Sequence, residues 1–217
     1  GIQLIVDGIP ETTPDGQGQL DNLPLGLIQS LTVLRGPASS FYGNASGGVI
    51  QINTLEDFKE YFVRLRLQGG SYSARNLAAT VGLKKNKTKA IFYQNHSESQ
   101  GYRNHSQYKQ QVFNARVWHD ISDSSQIRWQ FNYTHSPYAH DAGGINITMV
   151  EENRKQARPQ NESFQTYETV DHLKTGLQWE KQINNKLRWD NYVFYAHRDF
   201  VGRLPFGFGG FVDLKRD

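Results

Sequence analysis

Two histidines and an aspartate in one polar stretch are the residues best suited to metal chemistry. His135, His140 and Asp141 lie close together in the sequence, and imidazole and carboxylate groups are common ligands of divalent metals. The spacing of five between the histidines does not match a rigid ligand pair on one strand. Polar loops also tolerate histidine and aspartate, so the pattern does not favour a metal site.

A glycine-rich stretch between residues 36 and 48 is the second chemical candidate, because such loops can cradle phosphate. No Lys-Ser/Thr pair follows the glycines, and the GxGxxG spacing is absent. The chain contains no cysteine, which excludes thiolate sites and thiol nucleophiles. Neither a nucleophile elbow with Ser, His and Asp nor a recognisable pair of carboxylates occurs. We therefore do not expect an enzyme.

The bulk composition narrows the class of protein. Mean hydropathy is −0.67 and no run of eighteen apolar residues occurs, which excludes a transmembrane helix. Membrane strands are apolar on one face only and lower the average, so a membrane barrel is compatible with these values. Basic and acidic residues are interspersed at a net charge of +3, which gives no basic stripe for nucleic acid.

The first 54 residues read as a small α/β unit with tight turns. Asp7-Gly8 closes a short buried strand. Gly36-Pro37 ends a later strand, because glycine permits positive φ and proline cannot donate to a ladder. The predicted elements are a strand at 2–6, a helical stretch at 23–30, a strand at 31–34, a one-turn element at 39–43 and a strand at 49–53.

From residue 61 to residue 199 the hydrophobic period is two, which is typical of half-buried strands. Seven strands are predicted, at 63–68, 76–83, 89–95, 111–119, 127–134, 172–179 and 187–197. The connections alternate between short turns (84–87, 121–125, 182–185) and long polar loops (96–110, 136–165). This layout is typical of outer-membrane barrels, which have short periplasmic turns and long outer loops.

The two sides of these strands differ in polarity. Odd positions are aliphatic or aromatic and are predicted to face lipid. Charged even positions are predicted to face a polar lumen, because a lysine or arginine at the lipid midplane costs about 2–4 kcal/mol. Trp179 and Trp189 are expected near the periplasmic edge, and Tyr133, Tyr167 and Tyr195 near the opposite rim. The inward set is Arg64, Arg66, Arg116, Arg128, Lys174, Arg188 and Asp190.

A set of motifs in the first segment resembles the second half of the plug domain of TonB-dependent outer-membrane receptors. The motifs are Asp7-Gly8, Arg35-Gly36-Pro37, Tyr42-Gly43 and Gly47-Gly48, in that order. They cover about 50 residues, and their combination is specific although each motif alone is weak. The loop Asp15-Gly16-Gln17-Gly18-Gln19 looks most like the siderophore and ferric-citrate types. In this family the motif residues are structural positions rather than ligands.

The resemblance implies a mostly β fold. Residues 1–54 are expected to form the C-terminal half of the plug, a small α/β sheet, and residues 55–217 about seven antiparallel strands of a transmembrane β-barrel. It also implies the bacterial outer membrane as location and a TonB energy-coupling complex as partner, reached through an N-terminal box outside this sequence. Seven strands cannot close a barrel, so we expect a fragment that is not a working transporter alone.

The resemblance further implies a ligand, a ferric siderophore or a similar metal chelate, and no covalently bound cofactor. It places ligand contacts in the plug loop at 12–19 and in the outer loops at 96–110 and 136–165. The candidates are Gln17, Gln19, Tyr102, Arg103, His135, His140 and Asp141.

A different class of protein remains open at this point. A soluble or surface-exposed β-rich binding module, such as an adhesin, has similar alternation. It would place Ile127, Trp129 and Phe131 in a packed core rather than on an outer face.

Overall fold

The computed structural model describes residues 2–11, 23–36, 42, 45–58, 60–206 and 210–216. Within this part of the chain the strands form a four-stranded mixed sheet and an eight-stranded antiparallel sheet. The helices in the described residues are all too short or too polar to cross a bilayer. Gln17 and Gln19 lie outside the described residues. The same holds for Pro37 and for the predicted one-turn element at 39–43 with Gly43, apart from Tyr42.

The small sheet has the strand order β2-β1-β4-β3, and we call it the plug sheet. β1 runs parallel to β4, while the β1–β2 and β3–β4 pairs are antiparallel. A single 3₁₀ turn at Leu25–Leu27 precedes β3, which starts at Ile28, so the predicted helical stretch is wrong beyond that turn. Pairing of Ile28 with Thr54 overrides the local helical preference. The strands are β1 (Ile2–Val6), β2 (Ile9–Pro10), β3 (Ile28–Arg35) and β4 (Gly48–Thr54).

Two turns of the plug sheet explain residues in its motifs. Asp7 and Gly8 have φ of 47° and 84°, the two positive values that a tight type I′ hairpin turn requires. Gly48 has φ of +129°, and a side chain there would run into the Leu34 carbonyl oxygen across the ladder. Leu4 and Ile52 lie in the buried core of this sheet.

The large sheet follows chain order from β5 to β12, each strand antiparallel to the next, and we call it the wall. Two short helices, α1 (Ile147–Glu152) and α2 (Pro159–Ser163), lie in the connection between β9 and β10. The strands are β5 (Phe62–Gly69), β6 (Arg75–Lys85), β7 (Thr88–Ser99), β8 (Tyr108–Ser122), β9 (Ser125–His140), β10 (Tyr167–Asn184), β11 (Leu187–Phe206) and β12 (Gly210–Arg216).

The wall is larger than the alternation predicts. The described chain contains eight wall strands rather than seven, because β12 begins at Gly210, within the glycine- and phenylalanine-rich run at 206–211. Strand pairing also extends past the apolar residues, so the loop after β7 is 100–107 rather than 96–110, and the loop after β9 is 141–166 rather than 136–165. Backbone hydrogen bonds continue beyond the residues whose side chains alternate between apolar and polar. A sequence shows only the alternation, so the predicted strands are too short.

The two faces of the wall have the predicted polarities. Leu65, Val193 and Trp189 face outward and are 70%, 66% and 54% exposed. Arg116 and Lys174 face the plug sheet and are buried.

β7 is an exception to the predicted odd-out parity. Its odd residues Ile91 and Tyr93 are buried toward the plug sheet, whereas Phe92 is 37% exposed. The two-residue turn pairs Lys85 with Thr88, which joins odd positions of β6 to even positions of β7. The two-residue turns after β8 and β10 are each followed by a register shift that restores the parity, and no such shift occurs between β6 and β7, so the parity of β7 is reversed.

Candidate functional site

The β1–β2 hairpin of the plug sheet docks on the inner face of the wall through a buried ion pair. The Asp7 carboxylate accepts hydrogen bonds from the Thr54 backbone N–H at 2.8 Å and from the Thr54 hydroxyl at 3.0 Å. The same carboxylate pairs with the guanidinium of Arg116 on β8. Arg116 also donates to the Thr54 hydroxyl, and its Nε donates to Asn114 Oδ1 at 3.2 Å. The turn is thus joined to both β4 and β8.

A second buried cation holds the other end of the hairpin. Lys174 on β10 pairs with the Glu11 carboxylate, and its Nζ donates to the Pro10 carbonyl oxygen at 2.5 Å. The side chains of Lys174 and Glu11 are only 7% and 9% exposed. Because a buried ion that lacks a counterion is expensive, each charge stabilises the other only while the hairpin is docked.

An apolar contact lies between the two ion pairs. Ile9 is 1% exposed, and its Cδ1 would lie 2.6 Å from a Cβ placed on Gly176 of β10. Glycine at 176 therefore leaves the space that the Ile9 side chain occupies. We call Arg116, Lys174 and Gly176 the hairpin socket.

A second plug–wall contact is purely hydrophobic. Leu27 of the 3₁₀ turn packs with Tyr93, Trp118 and other buried wall residues. Gly26 approaches so closely that a Cβ there would lie 2.6 Å from the Tyr93 ring. Leu55, in the chain between the plug sheet and β5, packs against the same cluster. The plug sheet is thus fixed to β7 and β8 as well as to β10.

A polar cavity of about 440 Å³ borders the hairpin on the side of the short wall turns. Acidic and basic groups pair across it and neutralise one another, which is typical of a hydrated space rather than of a site for one sign of charge. The pairs in and beside it include Arg128–Glu180 at 3.2 Å, Lys89–Glu56 at 3.1 Å and Arg188–Asp190 at 3.8 Å.

The long loops at the opposite end of the wall are joined by Arg103. Its Nη1 donates to the Gly143 carbonyl oxygen at 2.6 Å and its Nη2 to the Ala142 carbonyl oxygen at 3.1 Å. Nε and Nη2 both donate to the Gln156 carbonyl oxygen, at 3.1 and 2.9 Å. The guanidinium therefore connects the 100–107 loop to the 141–166 loop and has a structural role there.

His140 and Asp141 are also used within these loops. The His140 ring stacks on His105 with centroids 4.7 Å apart, and its Nδ1 lies 3.0 Å from the Gln107 side-chain oxygen. Asp141 accepts from the Gly143 N–H at 2.8 Å and from the Asn161 side chain at 3.0 Å. Both candidates therefore help to shape the loop.

The remaining two candidates lie apart from each other. Tyr102 is 45% exposed and packs edge-on against Tyr72 at 5.5 Å. His135 contacts Asp171 at 2.7 Å in a polar patch on the outward face. Asp171 lies between Leu173 and Tyr167 on that face. The apolar band on β10 therefore ends at Leu173, whereas the sequence predicted that it would reach Tyr167.

The plug motif positions fall on turns and strand ends. Besides Asp7, Gly8 and Gly48, Arg35 is the last residue of β3, Gly36 has φ of 96°, and Gly47 lies in the turn before β4. Sequence reasoning placed Arg116 and Lys174 on the inner face, but it missed Glu11 as the partner of Lys174 and the contact between Ile9 and Gly176. The acidic residues that bracket a Gly-Ile-Pro turn were the available signal.

Comparison with known proteins agrees with this arrangement. Residues 1–49 match the family model of the TonB-dependent Receptor Plug Domain. The fold is similar to that of the unliganded ferric citrate transporter FecA, with a TM-score of 0.77 and 20% identity over 94% of this chain and 32% of that one.

Two further solved structures show the same similarity. The siderophore receptor PiuA from Acinetobacter baumannii has a TM-score of 0.70 and 16% identity, over 92% of this chain and 30% of that one. The copper transporter OprC has a TM-score of 0.70 and 17% identity, over 93% and 30%. The chain thus spans about a third of the length of the solved receptors that it matches.

Proposed function

We propose that this chain, which has the plug segment and the fold of the TonB-dependent outer-membrane receptors, belongs to a receptor that takes up a ferric siderophore or a similar metal chelate. Receptors of this family are outer-membrane proteins of bacteria and are not enzymes, as the sequence predicts. The expected mostly β fold, with a small plug sheet and an antiparallel wall, is confirmed.

The observation that carries the proposal is the opposite use of the two wall faces. The inner face receives the plug sheet through buried charged groups, while the outer face of the same strands exposes apolar side chains. A soluble sheet would hide such a face in a core. Trp129, which the adhesin alternative places in a core, is 38% exposed. These contacts support a stoppered pore wall in lipid.

The loop lengths support one orientation of the wall. The turns after β6, β8 and β10 are two residues long, and the connections at 100–107 and 141–166 are much longer. Short turns are periplasmic in bacterial barrels. We place the plug–barrel boundary between residues 54 and 55, the long loops outside the cell, and the TonB complex on the periplasmic side.

For the ligand contact, exposure favours Tyr102 among the described candidates. Its aromatic partner Tyr72 is 44% exposed, and Lys155 Nζ lies 5.9 Å from the Tyr72 ring centre. The Lys155 ammonium group beside these rings would attract an anionic chelate. We propose that Gln17 and Gln19 contact the same ligand from the plug loop. Arg103, His140 and Asp141 support it by holding the loops, and His135 is the weakest candidate because it faces outward.

Titration of a ligand panel against the full-length protein tests the proposal. The panel contains ferric citrate, a ferric catecholate, a ferric hydroxamate, haem, cobalamin and Cu(II), with tryptophan fluorescence as the signal. We expect the tightest binding for one of the ferric chelates. Tightest binding of Cu(II), haem or cobalamin would replace the ligand class, and absence of binding to the whole panel would refute the receptor function.

A further inference from the structure

We propose that the docked hairpin, residues 7–11, is the fixed point of the plug. In this inference, which rests on the proposed transport function, the hairpin stays on the hairpin socket during each uptake cycle, and the passage opens by movement of other parts of the plug. Arg116, Lys174 and Gly176 are positioning residues for this contact.

The first argument is the redundancy of the contact. Two buried cations on different wall strands meet two carboxylates four residues apart, Asp7 and Glu11, and the Ile9 side chain fills the space above Gly176 between them. Undocking would separate both ion pairs and expose Ile9 at once. A contact made of three coupled parts opens far more rarely than any one of them.

The second argument is covalent. Thr54, which accepts and donates hydrogen bonds in the Asp7–Arg116 contact, is the last residue of β4. Only seven residues separate it from Phe62, the first residue of β5. Such a tether spans at most about 25 Å when fully extended. The tether also begins at Leu55, which packs in the wall cluster. This corner of the plug is therefore held to the wall by the chain itself.

The third argument is a second attachment of the plug sheet to the wall. Leu27, directly before β3, packs with Tyr93 and Trp118, and the Leu55 N–H donates to the Leu27 carbonyl oxygen at 2.7 Å. The start of β3 and the hairpin are thus both held against the described wall. Movement about an anchored hairpin leaves the buried charges in place.

A reversible lock tests the inference in the full-length protein. Ile9→Cys and Gly176→Cys are combined and closed by a short thiol-reactive cross-linker, and closure is followed by gel mobility. Energised cells then take up radiolabelled iron as the ferric chelate that the panel identifies, with ferric citrate as the first probe. We expect the locked receptor to retain at least half of the uptake of the unlocked double variant.

Loss of uptake to the background of a receptor-free strain, restored when a cleavable linker is reduced, would overturn the inference. Failure of the proposed function has a different signature, because the unmodified receptor would then show neither chelate binding nor uptake.

A second measurement does not depend on forming the lock. The single variant Ile9→Cys is treated with a membrane-impermeant maleimide in energised cells, with and without ferric citrate or the chelate that binds. We expect the labelling rate to change less than twofold on adding the chelate, because the thiol stays buried. Thr148→Cys in α1, an exposed position, is the reactivity control. A tenfold or larger acceleration at position 9 during uptake would show that the hairpin undocks.

Discussion

The two faces of β10 reverse the pattern of a soluble protein, because polar side chains are buried on the inner face and apolar side chains are exposed on the outer face. On the inner face Lys174 and Gln178 are buried, whereas on the outer face Leu177 and Trp179 are 44% and 40% exposed. These residues alternate along one strand, so backbone geometry does not distinguish them. The difference lies in what covers each face: a hairpin with matching carboxylates on one side and, in the proposed membrane barrel, hydrocarbon on the other.

Removal of an inner cation gives the largest expected effect. Lys174→Met leaves the Glu11 carboxylate buried without its counterion, and we expect a loss of about 3–5 kcal/mol from the free energy of unfolding. Denaturant unfolding of the full-length protein in detergent micelles measures it. Lys181→Met, on the outer face of the same strand, is the control and should change stability by less than about 0.5 kcal/mol.

The double variant Lys174→Met with Glu11→Gln separates pairing from packing. If the cost comes from the unpaired carboxylate, neutralising Glu11 should recover a large part of it. Equal losses in the single and double variants would mean that the lysine stem, not its charge, stabilises the docked hairpin.

Insertion of one charge on either face is the next strongest test. Val193 and Tyr192 are adjacent on β11, and they pair with outward Leu177 and inward Gln178 respectively. We expect Val193→Arg to destabilise the protein by about 2–4 kcal/mol, because the charge would enter hydrocarbon near the midplane. Tyr192→Arg, facing a polar lumen, should cost much less. Heat-modifiable gel migration and denaturant unfolding report the folded fraction, and comparable losses would contradict the assignment of the faces.

Crowding of the hairpin socket gives a smaller effect. Gly176→Ala would bring a methyl group against Ile9 Cδ1, and overpacking of this kind costs about 1–3 kcal/mol. Ile9→Val removes the clashing carbon, so the double variant should recover part of the loss. Gly69→Ala is the matched control, because a Cβ at position 69 meets open space. An unchanged unfolding midpoint for Gly176→Ala would show that the hairpin does not sit closely on β10.

The faces were predictable from sequence because their signal is local. Alternation in β5, β9 and β10 identified inward and outward residues. The Asp7-Gly8 turn was also predicted, but the returning strand β2 was not, because Ile9 and Pro10 are too few to show a period. The parity of β7 was not predictable from its own residues, since it depends on whether a register shift accompanies the preceding two-residue turn. β12 was missed because glycine and phenylalanine at 206–211 conceal where alternation resumes.

The partners across the two sheets were less predictable than the faces. Asp7 and Arg116 are 109 positions apart, and a single sequence shows that both are plausible interior residues without showing that they meet. The role of Arg103 was hidden for a related reason. Its partners are backbone carbonyls of a loop 39 to 53 residues away, and carbonyl groups leave no mark in the sequence.

At the outer rim the difference between the two faces no longer applies, because hydrogen bonds between loops hold the chain there. A variant of Arg103 tests this part of the molecule. Arg103→Lys keeps the charge but loses the planar fork that reaches three carbonyl oxygens, so we expect the 141–166 loop to open about tenfold more often, about 1.4 kcal/mol. Trypsin cleavage at the exposed Arg154 and Lys155 in the folded full-length protein measures this opening. Arg75→Lys, an exposed neighbour whose guanidinium lies 3.7 Å from Glu98, should leave the cleavage rate within twofold. Equal cleavage in both variants would mean that the loop is held by α1, α2 and the stacked histidines, with Arg103 free to meet the ligand after all.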